Sequence, residues 1–194
     1  MRTALGLLAC ILAAPSALAD PVAYEIDPGH THVLFAVERF GFADTIGIFP
    51  DSEGVIRLDR EDPAASSVSA RVRTASVWTG LDARDNAVRG SSWLDIATHG
   101  EIVFESTQVE LLDDVSARVT GNFTLLGVTR EETFDVTLNR IGPDVSRGGR
   151  EGAGFSITGE ISRSDYGLDT AMNLVGDRVG IRIEVLAHRV DAQD

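Results

Sequence analysis

From Arg118 to Leu138 the chain alternates apolar and polar residues with a period of two. Val119, Gly121, Phe123 and Leu125 fall on one side, with Arg118, Thr120, Asn122 and Thr124 on the other. Beyond Gly127 the alternation resumes, with Phe134, Val136 and Leu138 set against Thr133, Asp135 and Thr137. Successive side chains of a strand point to opposite faces, so these are two half-buried strands, and the glycine between them predicts a hairpin. Gly121 interrupts the apolar side. A glycine inside a strand marks a bend or a close approach to the backbone, and here it is expected to leave a gap in the apolar wall.

The same logic repeats along the chain. Val33, Phe35 and Val37 predict a strand over residues 30–39, opened by the Pro28-Gly29 turn, and residues 40–49 carry two glycines among aromatics, which predicts a curving strand or a rim loop. Further strands are predicted around Ile56 and Leu58, around Val68, Ala70 and Val72, and around Ile102 and Phe104. Phe155, Ile157, Gly159 and Ile161 mark another, and Ile181, Ile183 and Val185 mark the last. Residues 82–90 break the pattern and favour about two turns of helix with Asp82 as N-cap. Asp113-Asp114 reads as a turn, residues 142–154 as a mobile loop rich in glycine and charge, and residues 163–176 as a connector. About eight strands with one short helix predict an all-β fold, an antiparallel barrel or a sandwich.

At 194 residues the chain suits one domain preceded by a targeting segment. After Met1-Arg2-Thr3, residues 4–19 are apolar and uncharged and end in Ala17-Leu18-Ala19, the pattern of a cleaved secretory signal peptide. The run is shorter than the ~20 residues that a membrane span needs. Leu8-Ala9-Cys10 faintly resembles a lipoprotein site, but too little apolar sequence precedes it. The expected division is therefore a signal peptide over 1–19 and one domain over 20–194, located in the periplasm or secreted. Cleavage after Ala19 removes Cys10, so the mature domain is expected to rely on burial and sheet pairing without a disulfide. Cleavage also removes Arg2 and no acid, taking the net charge from −13 to −14. That acidity argues against a nucleic-acid partner and is otherwise explained by solubility.

Few residues suggest chemistry. His30 and His32 lie two apart on one face of a strand, a spacing that can aim two imidazoles at one metal, yet neither they nor His99 and His188 have a clear third ligand. Arg84 and Asp85 with Arg89 read either as a polar cluster at a cavity mouth or as a surface pair on the helix. There is no nucleophile elbow, phosphate-binding glycine loop or cysteine nucleophile in the mature chain. The aromatics are more informative. Phe35, Phe49, Trp78, Trp93, Phe104, Phe123, Phe134, Phe155 and Tyr166 fall at inward or rim positions on most elements. Either they fill a solid core or they line a cavity, since a barrel of ~8 strands has room for one small ligand.

Taken in order, Tyr24-x-Ile-Asp-Pro-x-His30, Val33-x-Phe35-x-Val37, Ser76-Val-x-Thr-Gly80, Arg84-Asp85, Phe104-x-Ser-Thr107, Gly121-x-x-Thr-Leu-x-Gly-x-Thr-Arg130 and Arg163-Ser-Asp-Tyr-Gly-Leu168 resemble the YceI-like family over almost the whole mature chain. The resemblance implies a lipocalin-like antiparallel barrel that is exported and binds an isoprenoid lipid, either an isoprenoid quinone or a polyprenyl chain, for storage or transport. It implies a binder and not an enzyme, without a metal or other cofactor. The expected ligand-binding residues are Phe35, Val37, Phe49, Trp78, Trp93, Phe104, Gly121, Phe123, Phe134, Ile157 and Tyr166. Two departures bear on head-group recognition: Glu38-Arg39 stands where the family often has a histidine, and Trp93-Leu94 stands where an aromatic pair is common. A homodimer is possible if sheet edges stay unpaired, whereas a closed barrel removes them.

Overall fold

A computed structural model describes residues 20–190. The expected signal peptide lies outside the described residues. The strands are β1 (Val22–Ile26), β2 (His32–Arg39), β3 (Ala43–Phe49), β4 (Ser52–Leu58) and β5 (Ser67–Arg73), followed by the helix α1 (Asp82–Arg89). Then come β6 (Glu101–Leu111), β7 (Ser116–Leu125), β8 (Val128–Asp144), β9 (Arg150–Ser162) and β10 (Val175–Arg189). Strands β1-β4-β5-β6-β7-β8-β9-β10 form a ring that β1 closes by pairing with both β4 and β10, antiparallel throughout. β10 pairs with β1 near its end and with β2 over most of its length, so β1 and β2 lie end to end along it. β3 pairs with β2 as β4 pairs with β1. The result is a closed antiparallel barrel of eight strand positions, two of them occupied by broken strands.

The central hairpin forms as the alternation predicts. Val119 faces Phe134 across the β7–β8 pair, and Leu125 faces Val128 across a tight turn. Leu126 and Gly127 both adopt positive φ, 52° and 74°, which matches the right-handed twist of a two-residue hairpin. Elsewhere the structure corrects the sequence reading. β1 forms where only a lead-in is expected. Residues 142–154 are not a mobile loop: β8 runs through Gly142 and Pro143 to Asp144, β9 starts at Arg150, and Pro143 pairs with Glu151. Beyond Leu138 β8 has passed the start of β7, and an edge tolerates a proline without an N–H. The helix is N-capped by Leu81, with Asp82 in its first turn.

The two barrel ends differ. At the helix end stand α1, the β2–β3 turn and the 163–174 connector, while the opposite end carries Asp20, Val190 and the turns at 59–66, 112–115 and 145–149. Arg84, Asp85 and Arg89 do more than form a surface pair, since they tie α1 to the segment beneath it. Buried Asp85 accepts bonds from the Thr79 N–H and hydroxyl, Arg84 donates to the Thr79 hydroxyl and carbonyl, and Arg89 donates to the carbonyls of Ala75 and Val77. Trp78 in turn pairs its backbone with Ile48 of β3, covering the edge that β3 would otherwise expose.

Candidate functional site: an apolar cavity along the barrel axis

The inward faces do not meet in a solid core. They surround a cavity of about 840 Å³, within the ~300–1,000 Å³ range of small-ligand sites. Every ring strand contributes, from Ile56 and Leu58 on β4 through Val68 and Val72 on β5 to Ile181 and Ile183 on β10. The lining runs from Arg39, Arg84 and Leu174 at the helix end to Asp59, Leu111 and Asp113 at the other. Between these ends it is mostly apolar, with Thr31, Thr45, Glu53 and Arg71 also reaching it. Ser52 is a further exception, because its buried hydroxyl lines the cavity without a hydrogen-bond partner among the described residues.

Of the expected ligand-binding residues, Phe35, Val37, Phe49, Trp93, Phe104, Phe123, Phe134 and Ile157 line this cavity together. Gly121, Trp78 and Tyr166 do not. Gly121 leaves no gap, because the Phe104 ring lies where a side chain would stand, 2.6 Å from an added Cβ. Gly47 and Gly159 are covered in the same way by the rings of Phe35 and Phe134. Trp78 is 57% exposed on the outer surface, since its backbone closes the β3 edge. Tyr166 packs behind the wall, edge-on to Phe123 with ring centroids 5.6 Å apart, and its hydroxyl donates to Glu132 Oε1 at 2.7 Å. Burial and the Glu132 bond push the phenol well above its ordinary range, so it stays neutral. The aliphatic lining on β4, β5 and β10 is absent from the expected ligand-binding set, although the same alternation marks it.

The helix end is closed in part by Arg163, which is 1% exposed and lines the cavity beside Trp93. Its guanidinium donates to the carbonyls of Leu168, Thr170, Val175 and Gly176, so this one side chain gathers the connector onto the start of β10. Burial lowers its basicity and Asp177 and Asp169 oppose that, leaving the group cationic at any physiological pH.

At the other end a polar cluster clamps β1, the β8–β9 turn and β10. Buried His188 bonds Asp144 Oδ2 through Nε2 at 2.9 Å and has Nδ1 3.7 Å from Asp27 Oδ2. Arg147 donates to the same Asp27 oxygen at 2.6 Å, and His30 Nδ1 lies 3.1 Å away from it. Burial opposes ionisation of Asp27, but the bonds from His30, Arg147 and the Gly29 N–H outweigh it and hold the carboxyl below its ordinary range. Asp144 is held lower still by His188 and by Ser146. His30 is thus engaged with Asp27, while His32 stands exposed on β2, and no group of three or more metal-binding side chains is found among the described residues. No helix among those residues is long and apolar enough to cross a membrane.

Comparison with known proteins agrees with this architecture. Residues 24–187 match the YceI-like domain. A UPF0312 protein of Serratia proteamaculans is 34% identical over 186 residues, covering 95% of each chain. The crystal structure of BcnA from Burkholderia cenocepacia superposes with a TM-score of 0.75 at 22% identity, over 83% of this chain and 98% of that one. A polyisoprenoid binding domain from Saccharophagus degradans, implicated in plant cell wall breakdown, superposes with a TM-score of 0.68 at 15% identity, over 87% and 99%. With the closed barrel, the cavity and a match across nearly all of the described residues, the chain belongs to the YceI-like family.

Proposed function

We propose that this protein is an exported carrier that holds an isoprenoid lipid, an isoprenoid quinone or a polyprenyl chain, inside the barrel for storage or transport, and that it is not an enzyme. The observation that carries this reading is the continuous apolar cavity of about 840 Å³. A long unbranched or methyl-branched tail matches a lining in which aliphatic and aromatic side chains predominate along its length. Each buried methylene contributes about 0.8 kcal/mol, so ten of them contribute about 8 kcal/mol against an ordering cost of ~4–15 kcal/mol. The fold shared with a polyisoprenoid binding domain supports the same class of ligand. Export to the periplasm rests on the Ala17-Leu18-Ala19 site, and a binding role without metal or other cofactor fits a site in which Arg84 and Arg163 are engaged in hydrogen bonds to the fold.

The test is extraction of the purified protein with organic solvent, followed by mass spectrometry and elemental analysis. One isoprenoid lipid per chain is expected, on a protein whose intact mass begins at Asp20. A stoichiometric metal with no lipid, or neither, would overturn the carrier reading; a chain retaining Met1 or lipidated at Cys10 would overturn the proposed export.

A further inference from the structure

The cavity mouth at the helix end carries an unusual amount of exposed apolar surface. Phe42 is 91% exposed, Ile46 63%, Trp78 57%, and Phe40 and Leu174 42% each. Scattered apolar side chains are ordinary on a protein surface, whereas a contiguous set round an opening marks an interaction site. These belong to segments that meet at one lip: the Phe40 N–H donates to the Leu174 carbonyl at 2.8 Å, and Phe42 and Ile46 border a small polar pocket with Thr79, Arg39 and Arg84. Phe40 and Leu174 also line the cavity, so apolar surface continues from the outer lip into the barrel. Phe40 holds its place with a left-handed φ of 56°, a conformation that residues other than glycine avoid. The Arg39 guanidinium lies 4.3 Å from the Phe40 ring centroid, and Arg84 lines the same mouth.

We propose that this lip is a docking surface for a lipid bilayer. It rests on the carrier reading above and adds a route: the mouth seats in the interfacial layer, and the tail passes between bilayer and cavity without crossing water. Aromatic side chains beside arginine suit that layer, because the rings bury among acyl chains while the guanidinium stays with the phosphates. Of the carboxylates at this end, Glu38 accepts from the Gly41 N–H, Asp44 lines the small pocket with Arg39 and Arg84, and Asp82 and Asp169 are exposed on α1 and the connector. The opposite mouth also exposes Leu111, Leu112 and Val115, but Asp113 and Asp114 stand among them and would meet lipid phosphates with like charge. Arginines stand at that end too, but Arg60 pairs with Glu151 and Arg147 with Asp27, whereas Arg39 lies against the Phe40 ring at the exposed lip, so docking is assigned to the helix end.

The test is flotation with vesicles of phosphatidylethanolamine and phosphatidylglycerol that contain no isoprenoid lipid. The wild-type protein is expected to float, Phe42→Ser to bind about tenfold more weakly for loss of one buried ring, and Leu112→Ser to bind as the wild type does. Failure of the wild type to float, an unchanged Phe42→Ser, or an equal loss in Leu112→Ser would overturn the proposal. So would a dimer in sedimentation that Phe42→Ser dissociates, which would give the lip to a second copy of the chain. Flotation and lipid extraction fail separately: a protein that floats but yields no lipid removes the carrier and keeps the docking surface, and the converse keeps only the carrier.

Discussion

A Cβ at Gly121 would stand 2.4 Å from the Glu105 carbonyl oxygen and 2.6 Å from the Phe104 ring. The ring can turn, but the carbonyl belongs to the neighbouring strand β6 and moves only if the pair opens. Sequence alone suggests that a larger residue here would fill a void and displace ligand. The geometry reverses that expectation: Gly121→Ala should destabilise the fold by ~2–3 kcal/mol, lowering Tm by roughly 5–10 °C for a domain of this size. Thermal unfolding followed by circular dichroism measures it, and a variant melting with the wild type would show that the strands part easily. The glycine itself was legible, being the missing member of an alternating face. What covers it was not, because Phe104 comes from another strand and register across strands is not written in either one. Tyr166 and Trp78 escaped for the same reason. A buried aromatic behind the wall and an exposed one sealing a sheet edge have the same local sequence character as one that lines the cavity.

The hairpin end formed by β8 and β9 shows what periodicity can and cannot reveal. Alternation marks Phe134 to Leu138 and Phe155 to Ile161, but it stops at Gly142-Pro143, where the usual signals of a loop accumulate. The strands continue because β9 and β10 lie alongside, with Ala153 facing both Ile141 and Ala187. That extension brings Asp144 to His188 and Arg147 to Asp27, contacts that no spacing along the chain announces. Both carboxyls are held below their ordinary range, Asp144 chiefly by His188 and Asp27 by its bonds against the pull of burial. A carboxyl with a lowered pKa in the folded state stabilises that state above its unfolded pKa, near 4, and loses the contribution as pH falls toward the folded value. Wild-type Tm should therefore fall below about pH 4, and Asp144→Asn, which cannot titrate, should melt lower than the wild type near pH 7, with the difference narrowing once pH drops below about 4 and closing only well below pH 3, toward the folded pKa. Melting curves across that range check this; a constant difference would mean that the Asp144 bond does not depend on its charge.

At the scale of the whole molecule the barrel is closed but not filled. Two buried clusters brace it, one at the helix end around Val77, Phe123 and Tyr166, and one at the other end around Tyr24, Phe155 and Val185. Between them the apolar faces look into the cavity. The alternation that predicts strands is the same for a solid core and a lined one and for a barrel and a sandwich, so periodicity left both choices open and only the resemblance to the YceI-like family pointed to a barrel with a ligand inside. The difference has a thermodynamic consequence. Atoms that line a void lack partners on one side and forgo dispersion contacts that a filled core would give, so an occupant restores them as well as hiding its own apolar surface from water. A ligand that binds only the folded barrel stabilises it by about 2.7 kcal/mol at a free concentration one hundred times its Kd. Stripping the lipid under mild conditions should accordingly lower Tm by roughly 5–10 °C, and adding back the extracted lipid should restore it. Differential scanning calorimetry of the extracted and reloaded protein gives both values. An unchanged Tm after complete delipidation would mean that the native barrel is as stable empty as full, and that the cavity does not owe its size to a resident tail.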